Sequence, residues 1–180
     1  KIKFTKFKER KVKNMAKGYI ITNWTEDQGL GVQLSYPDHL VVDLDDMMRI
    51  FYAHITGAGE AGNVLVRLEK ARSNVSSYFT GMESEDQFMI NFIMDLGEDP
   101  EIFGEAVLSE INKNIIFYLK SIEQNPATML DITSELKDYL KNSLTYLERL
   151  KNLTKEQVMA QIYNSEKGRL ILEILQEKPR

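Results

Sequence analysis

Gly57, Gly59 and Gly62 fall at the spacing G-x-G-x-x-G, which lets a backbone close on a dinucleotide pyrophosphate. That chemistry needs a strand before the glycines and a helix after them, so that phosphates meet a helix N-terminus. Here the order is reversed: a helix-period segment precedes the loop and a strand-like run follows it. A phosphate would face the carbonyl end of a helix, which repels anions. The stretch therefore reads as a flexible helix-to-strand loop, with Gly57 ending the helix.

His39 and His54 are the only histidines, and there is no cysteine. No H-x-x-x-H or H-E-x-x-H spacing occurs, so a metal would have to recruit carboxylates. His54 falls late in a helical segment, where the dipole favours its charged form. Carboxylates cluster at Asp43/Asp45/Asp46, at Glu83/Glu85/Asp86 and at Glu98/Asp99/Glu101. The first and third suit helix N-termini, the second a solvated turn, and none has the spacing of an EF-hand loop. No P-loop, G-x-S-x-G or Ser/His/Asp arrangement is present. The expectation is a protein that is not an enzyme, with no catalytic, cofactor-binding or metal-binding residue and no cofactor. Trp24 and the methionines Met47, Met48, Met82, Met89 and Met94 read as packing residues.

The 180 residues suffice for one domain with a true core and a helical appendage. Hydrophobic residues at 43% and charged residues at 28% are those of an ordinary globular chain. Without cysteine, disulfides and thiolate chemistry are excluded. No apolar run approaches the roughly 20 residues that span a bilayer, and no secretory signal is visible. Asn-x-Ser/Thr triplets at Asn23, Asn74 and Asn152 are read as chance. The net charge of −4 hides an asymmetry: residues 1–14 carry seven Lys/Arg and one Glu, a balance of +6, so the other 166 residues sum to −10. A basic arm of this kind can contact phosphates or an anionic membrane surface; the alternatives are a solvated extension, or sequence upstream of a natural start at Met15, since Met15-Ala16-Lys17-Gly18 reads as an ordinary beginning of an intracellular protein.

The elements that must hold these residues follow from periodicity. Residues 17–24 read as a strand, residues 25–29 as a turn, and residues 30–36 as a second strand. There Leu30, Val32, Leu34 and Tyr36 alternate onto one face. Asp43 is expected to cap a helix through its carboxylate. In that helix Leu44, Met47, Met48, Phe51 and Ile55 make one apolar face. Residues 63–68, 74–80 and 87–96 are strand-like, and the last is apolar on both faces, which suits the middle of a sheet covered on both sides. Asp99 and Pro100 open a long helix, broken at residues 124–126. A third helix spans about 128–150, and a capping box at residues 154–157 starts another piece. Residues 165–175 are similar to the first helix of a winged-helix domain, and read more simply as a helix packing on the core or on a partner.

The order β-β-α-β-β-β-α, the opening strand ending in Trp24, the acidic turn with Gly29 and the second strand ending Ser35-Tyr36-Pro37 resemble the longin domain and its roadblock relatives. The basic arm does not read as the leading helix of roadblock domains, which favours the longin form. The resemblance covers about residues 17–150. It implies an α/β (α+β) fold. A five-stranded antiparallel sheet of order 2-1-5-4-3 carries one helix on one face and two on the other, plus a C-terminal helical extension. The domain boundaries expected are 1–14, 15–150 and 151–180. It further implies a non-enzymatic protein-interaction module that forms homo- or hetero-dimers and acts with a Ras-superfamily small GTPase or in a membrane-trafficking-like complex. The implied partner surface comprises Leu30, Val32, Leu34, Tyr36, Met47, Phe51, Ile55, Val64 and Val66. A cytoplasmic place follows, with peripheral membrane contact through the basic arm and no nucleic acid. The alternative is a regulatory or nucleic-acid-associated protein whose longin-like domain is a dimeriser or a small-ligand sensor.

Overall fold

The computed structural model describes residues 17–56 and 59–164. The basic arm, Gly57 and Ala58, and the segment 165–175 lie outside the described residues. Ten elements follow one another: β1 (Gly18–Thr25), β2 (Gly29–Tyr36), α1 (Leu44–Ile55), β3 (Gly62–Leu68), β4 (Ser73–Phe79), β5 (Phe88–Asp95), a 3-10 turn (Pro100–Phe103), α2 (Glu105–Gln124), a second 3-10 turn (Pro126–Thr128) and α3 (Met129–Asn164). The strands form one antiparallel sheet of order β2-β1-β5-β4-β3. The fold class is α+β.

β5 lies innermost because both of its faces are apolar. Phe88, Ile90, Phe92 and Met94 point into a layer shared with Tyr19 and Ile21 of β1, Ile111, Ile115 and Leu119 of α2, and Leu136, Leu140 and Leu147 of α3. Met89 and Ile93 point the other way, against Met47, Ile50 and Phe51 of α1. Burying each such side chain stabilises the fold by about 1.5–3 kcal/mol.

Gly18 sets how β1 meets β2. Its φ is +147°, and a Cβ there would fall 1.9 Å from Tyr36 O and 2.7 Å from Pro37 Cδ. Only glycine lets the start of β1 pass so close to the end of β2.

Four local expectations are corrected. The alternation of β2 does not hold along its length: the pairing steps from Ile21↔Leu34 to Thr22↔Val32, leaving Gln33 as a bulge. An extra residue inverts the side-chain faces on one side of it, so Leu34 and Tyr36 join the α2/α3 layer while Leu30 joins the α1 layer. Asp43 is the N-cap residue of α1 but makes no side-chain cap; its carboxylate pairs with Lys70 at 2.8 Å. Asp99 caps the 3-10 turn, accepting from Glu101 N at 3.0 Å, and α2 starts only after Gly104. α3 runs unbroken from Met129 to Asn164, through the position of the expected stop and capping box.

Candidate docking surface

α1 presents two apolar stripes. Met47, Ile50, Phe51 and His54 are buried and face the sheet. Leu44, Met48, Tyr52 and Ile55 recur at i, i+4, i+8 and i+11, which places them along one flank of a helix with 3.6 residues per turn. Leu44 is 63% exposed and Tyr52 54%, whereas Met48 and Ile55 are half-buried. The flank lies on the side of Phe51, whose ring stacks on Trp24 of β1 at a centroid distance of 4.5 Å. On β2, Val32 faces the same layer as α1 and is 60% exposed. The expectation that Leu44 belongs to the core face is therefore corrected.

The sheet has two edges of different character. β2 carries the Gln33 bulge, and Lys137 of α3 reaches over it to Asp38 at 2.6 Å. β3 has no bulge: seven consecutive residues pair with β4 in constant register. It contains no proline, and Arg67 is its single charge. Among the described residues, nothing pairs with its outer edge. A regular edge of this kind is a template for another strand. Val64 and Val66 point toward the α1 side, half-buried, and Leu65 points to the opposite face, 59% exposed.

The nine residues expected to meet a partner separate accordingly. Val32 is exposed; Leu30, Tyr36, Ile55, Val64 and Val66 are half-buried; Leu34, Met47 and Phe51 are core residues. Tyr36 and Leu34 belong to the layer opposite α1, so the set does not form one face. Tyr52 and Leu65 lie within the segments expected to meet a partner (Met47 to Ile55 and Val64–Leu68) but were not singled out, and Leu44, outside those segments, is a surface residue that the expectation missed. The helical spacing of Leu44 and Tyr52 was visible in the sequence; which stripe would turn inward was not.

His54 behaves contrary to the helix-dipole expectation. It is 7% exposed, and its Nε2 lies 2.9 Å from Ser77 Oγ on β4. Burial lowers its pKa from 6.5 to about 4. Desolvation of the cation outweighs the dipole, so the imidazole is neutral at physiological pH. The serine is fully buried too, so a substrate would reach this pair only if α1 lifted from the sheet. Beside it on the same face, Asn91 Nδ2 donates to Ile20 O at 3.0 Å. A second buried polar contact, between Lys151 of α3 and Glu98, ties the later half of α3 to the segment that follows β5.

Among the described residues, no group of three or more His, Cys, Asp or Glu side chains is placed to hold a metal ion. Among the same residues, no helix is long and apolar enough to cross a membrane. No family model matches the chain, and no curated protein or solved structure matches it either.

Proposed function

We propose that this chain is a non-enzymatic interaction module of longin type, which docks a homologous domain or a Ras-superfamily small GTPase as part of a trafficking-like regulatory complex. The observation that carries this reading is the regular edge of β3, with which nothing pairs among the described residues. A partner strand added there would gain backbone hydrogen bonds for affinity, and alternate side chains such as Val64 and Val66 would supply specificity. The exposed flank of α1 adds apolar area beside it, of the kind that marks contact sites on soluble domains. The order and pairing of the strands agree with those of longin-type domains. Size-exclusion chromatography with light scattering, with and without purified small GTPases in each nucleotide state, tests the reading. The expected result is a dimer or a stoichiometric GTPase complex. A chain that stays monomeric at high micromolar concentration and retains no GTPase in either state overturns it.

A further inference from the structure

On the face opposite α1, a groove runs between β3 and the segment that leads from β5 into α2. It consists of two adjoining cavities, of about 360 and 160 Å³, that share Leu65 and Pro100. Leu65, Pro100 and Leu108 give it an apolar floor. Exposed carboxylates from Asp99, Glu101 and Glu105 line one wall, and Arg67 stands on the other.

We propose that the basic arm of the same chain, residues 1–14, docks in this groove. Its sequence fits: Ile2, Phe4 and Phe7 interleave with Lys1, Lys3, Lys6 and Lys8, so apolar side chains can meet the floor while ammonium groups meet the acidic wall. Its charge fits, since the arm is +6 and the rest of the chain −10. Its attachment is near the end of the groove. Lys17 Nζ donates to Ser73 Oγ at 2.7 Å and lies 3.5 Å from the Asp95 carboxylate. Ser73 shares the α1 face of β4 with Val75 and Phe79, whereas the next residues along the two strands, Asn74 and Leu96, line the groove on the other face, so the connection passes round the end of the sheet. An extended chain covers about 3.3 Å per residue, so the arm can reach the groove and run along the seven residues of β3. A short tether holds the two at an effective concentration in the ~mM range, where weak contacts suffice. The inference goes beyond the proposed function: it concerns the other face of β3, and its test does not depend on any partner.

The chain has no cysteine, so a nitroxide attached through Thr5→Cys in the full chain reports the arm's position alone. The expected result is paramagnetic loss of amide signal at residues 63–67 and 99–105. That loss persists when the labelled chain is diluted with unlabelled chain. It disappears in the double variant Glu101→Lys/Glu105→Lys, and in about 1 M salt, where the screening length shrinks to about 3 Å. Both glutamates are exposed, so the variant keeps the fold, as its remaining amide shifts will show. Three results overturn the proposal: no signal loss at those amides, loss that survives the charge reversal, or loss that vanishes on dilution because the arm belonged to a second copy.

Discussion

His54 of α1 and Ser77 of β4 are joined by a hydrogen bond of 2.9 Å inside the mainly apolar layer between α1 and the sheet. The contact fixes α1 against the sheet at one place, because moving the helix along its axis would strand both groups without a partner. An unpartnered buried polar group costs about 1–3 kcal/mol. The pair is thus a register pin for the helix that carries the exposed flank, and it also makes the layer sensitive to acid.

Stability should fall as pH is lowered from about 6.5 to about 4. In the unfolded chain His54 takes up a proton near pH 6.5, whereas in the folded protein it resists protonation until about pH 4. The unfolded state therefore binds more protons within that window, and stability rises with pH across it. The contribution is fully present above pH 6.5 and fully lost below pH 4, and amounts to about 3 kcal/mol. Urea melts at pH 7, 6 and 5 will show the slope, and His54→Gln will flatten it. An imidazole that titrates at its ordinary value in the folded protein would sink this account.

Gly18→Ala will destabilise the fold by about 2–4 kcal/mol, since a Cβ must displace a backbone carbonyl and the φ of +147° disfavours any L side chain. Gly62→Ala is the control. No atom lies within 4 Å of a Cβ built there, so the change will fall between neutral and a gain of about 1 kcal/mol through the unfolded chain. Thermal or denaturant unfolding of the two variants checks the contrast. Equal losses at both positions would contradict it.

These contrasts separate what periodicity can reveal from what only packing decides. The inner position of β5 is legible because Phe88, Ile90 and Phe92 on one face and Met89 and Ile93 on the other leave no polar face to solvent. The bulge at Gln33 is not legible: one extra residue moves Leu34 and Leu30 to opposite layers without changing a letter of the pattern. The two stripes of α1 are both apolar at helical spacing, and only the sheet beneath selects Met47 and Ile50 over Leu44 and Met48. The capping-box letters at residues 154–157 sit inside α3, where preceding turns already satisfy the backbone donors. The charge of His54 depends on burial, which the dipole argument does not contain. The candidate surface inherits these gaps, so sequence reasoning found the strands and helix that carry it but mixed core residues such as Phe51 with surface ones such as Val32.

Removing Lys151 will leave the Glu98 carboxylate buried without its cation. Breaking such a pair by one partner costs about 3–5 kcal/mol. Lys151→Met should therefore lower stability by that order. Adding Glu98→Gln should restore most of the loss, because a neutral amide needs no counter-charge at the site. Hydrogen exchange should show the α3 turns around Lys151 opening most in the single variant. A double-mutant cycle with no coupling would contradict the pairing.

The partner surface itself can be tested by pairing exposed and buried positions on one helix. Leu44 and Tyr52 are more than half exposed, and Met47 is 1% exposed only three residues after Leu44. Tyr52→Glu and Leu44→Glu should leave the unfolding free energy within about 0.5 kcal/mol of the parent. If the flank belongs to the interface, each should still weaken self-association or GTPase binding by about tenfold or more, the loss expected for a contact worth above 1 kcal/mol. Met47→Ala should do the reverse. It opens a cavity between α1 and β5 and lowers stability by about 2–5 kcal/mol, yet the surviving folded fraction should bind with little change. Light scattering and calorimetric titration on the three variants measure both quantities. If the glutamates leave association untouched while Leu65→Lys or Val64→Lys abolishes it, docking runs through the β3 edge without α1. If none of these substitutions changes association, neither surface is the interface.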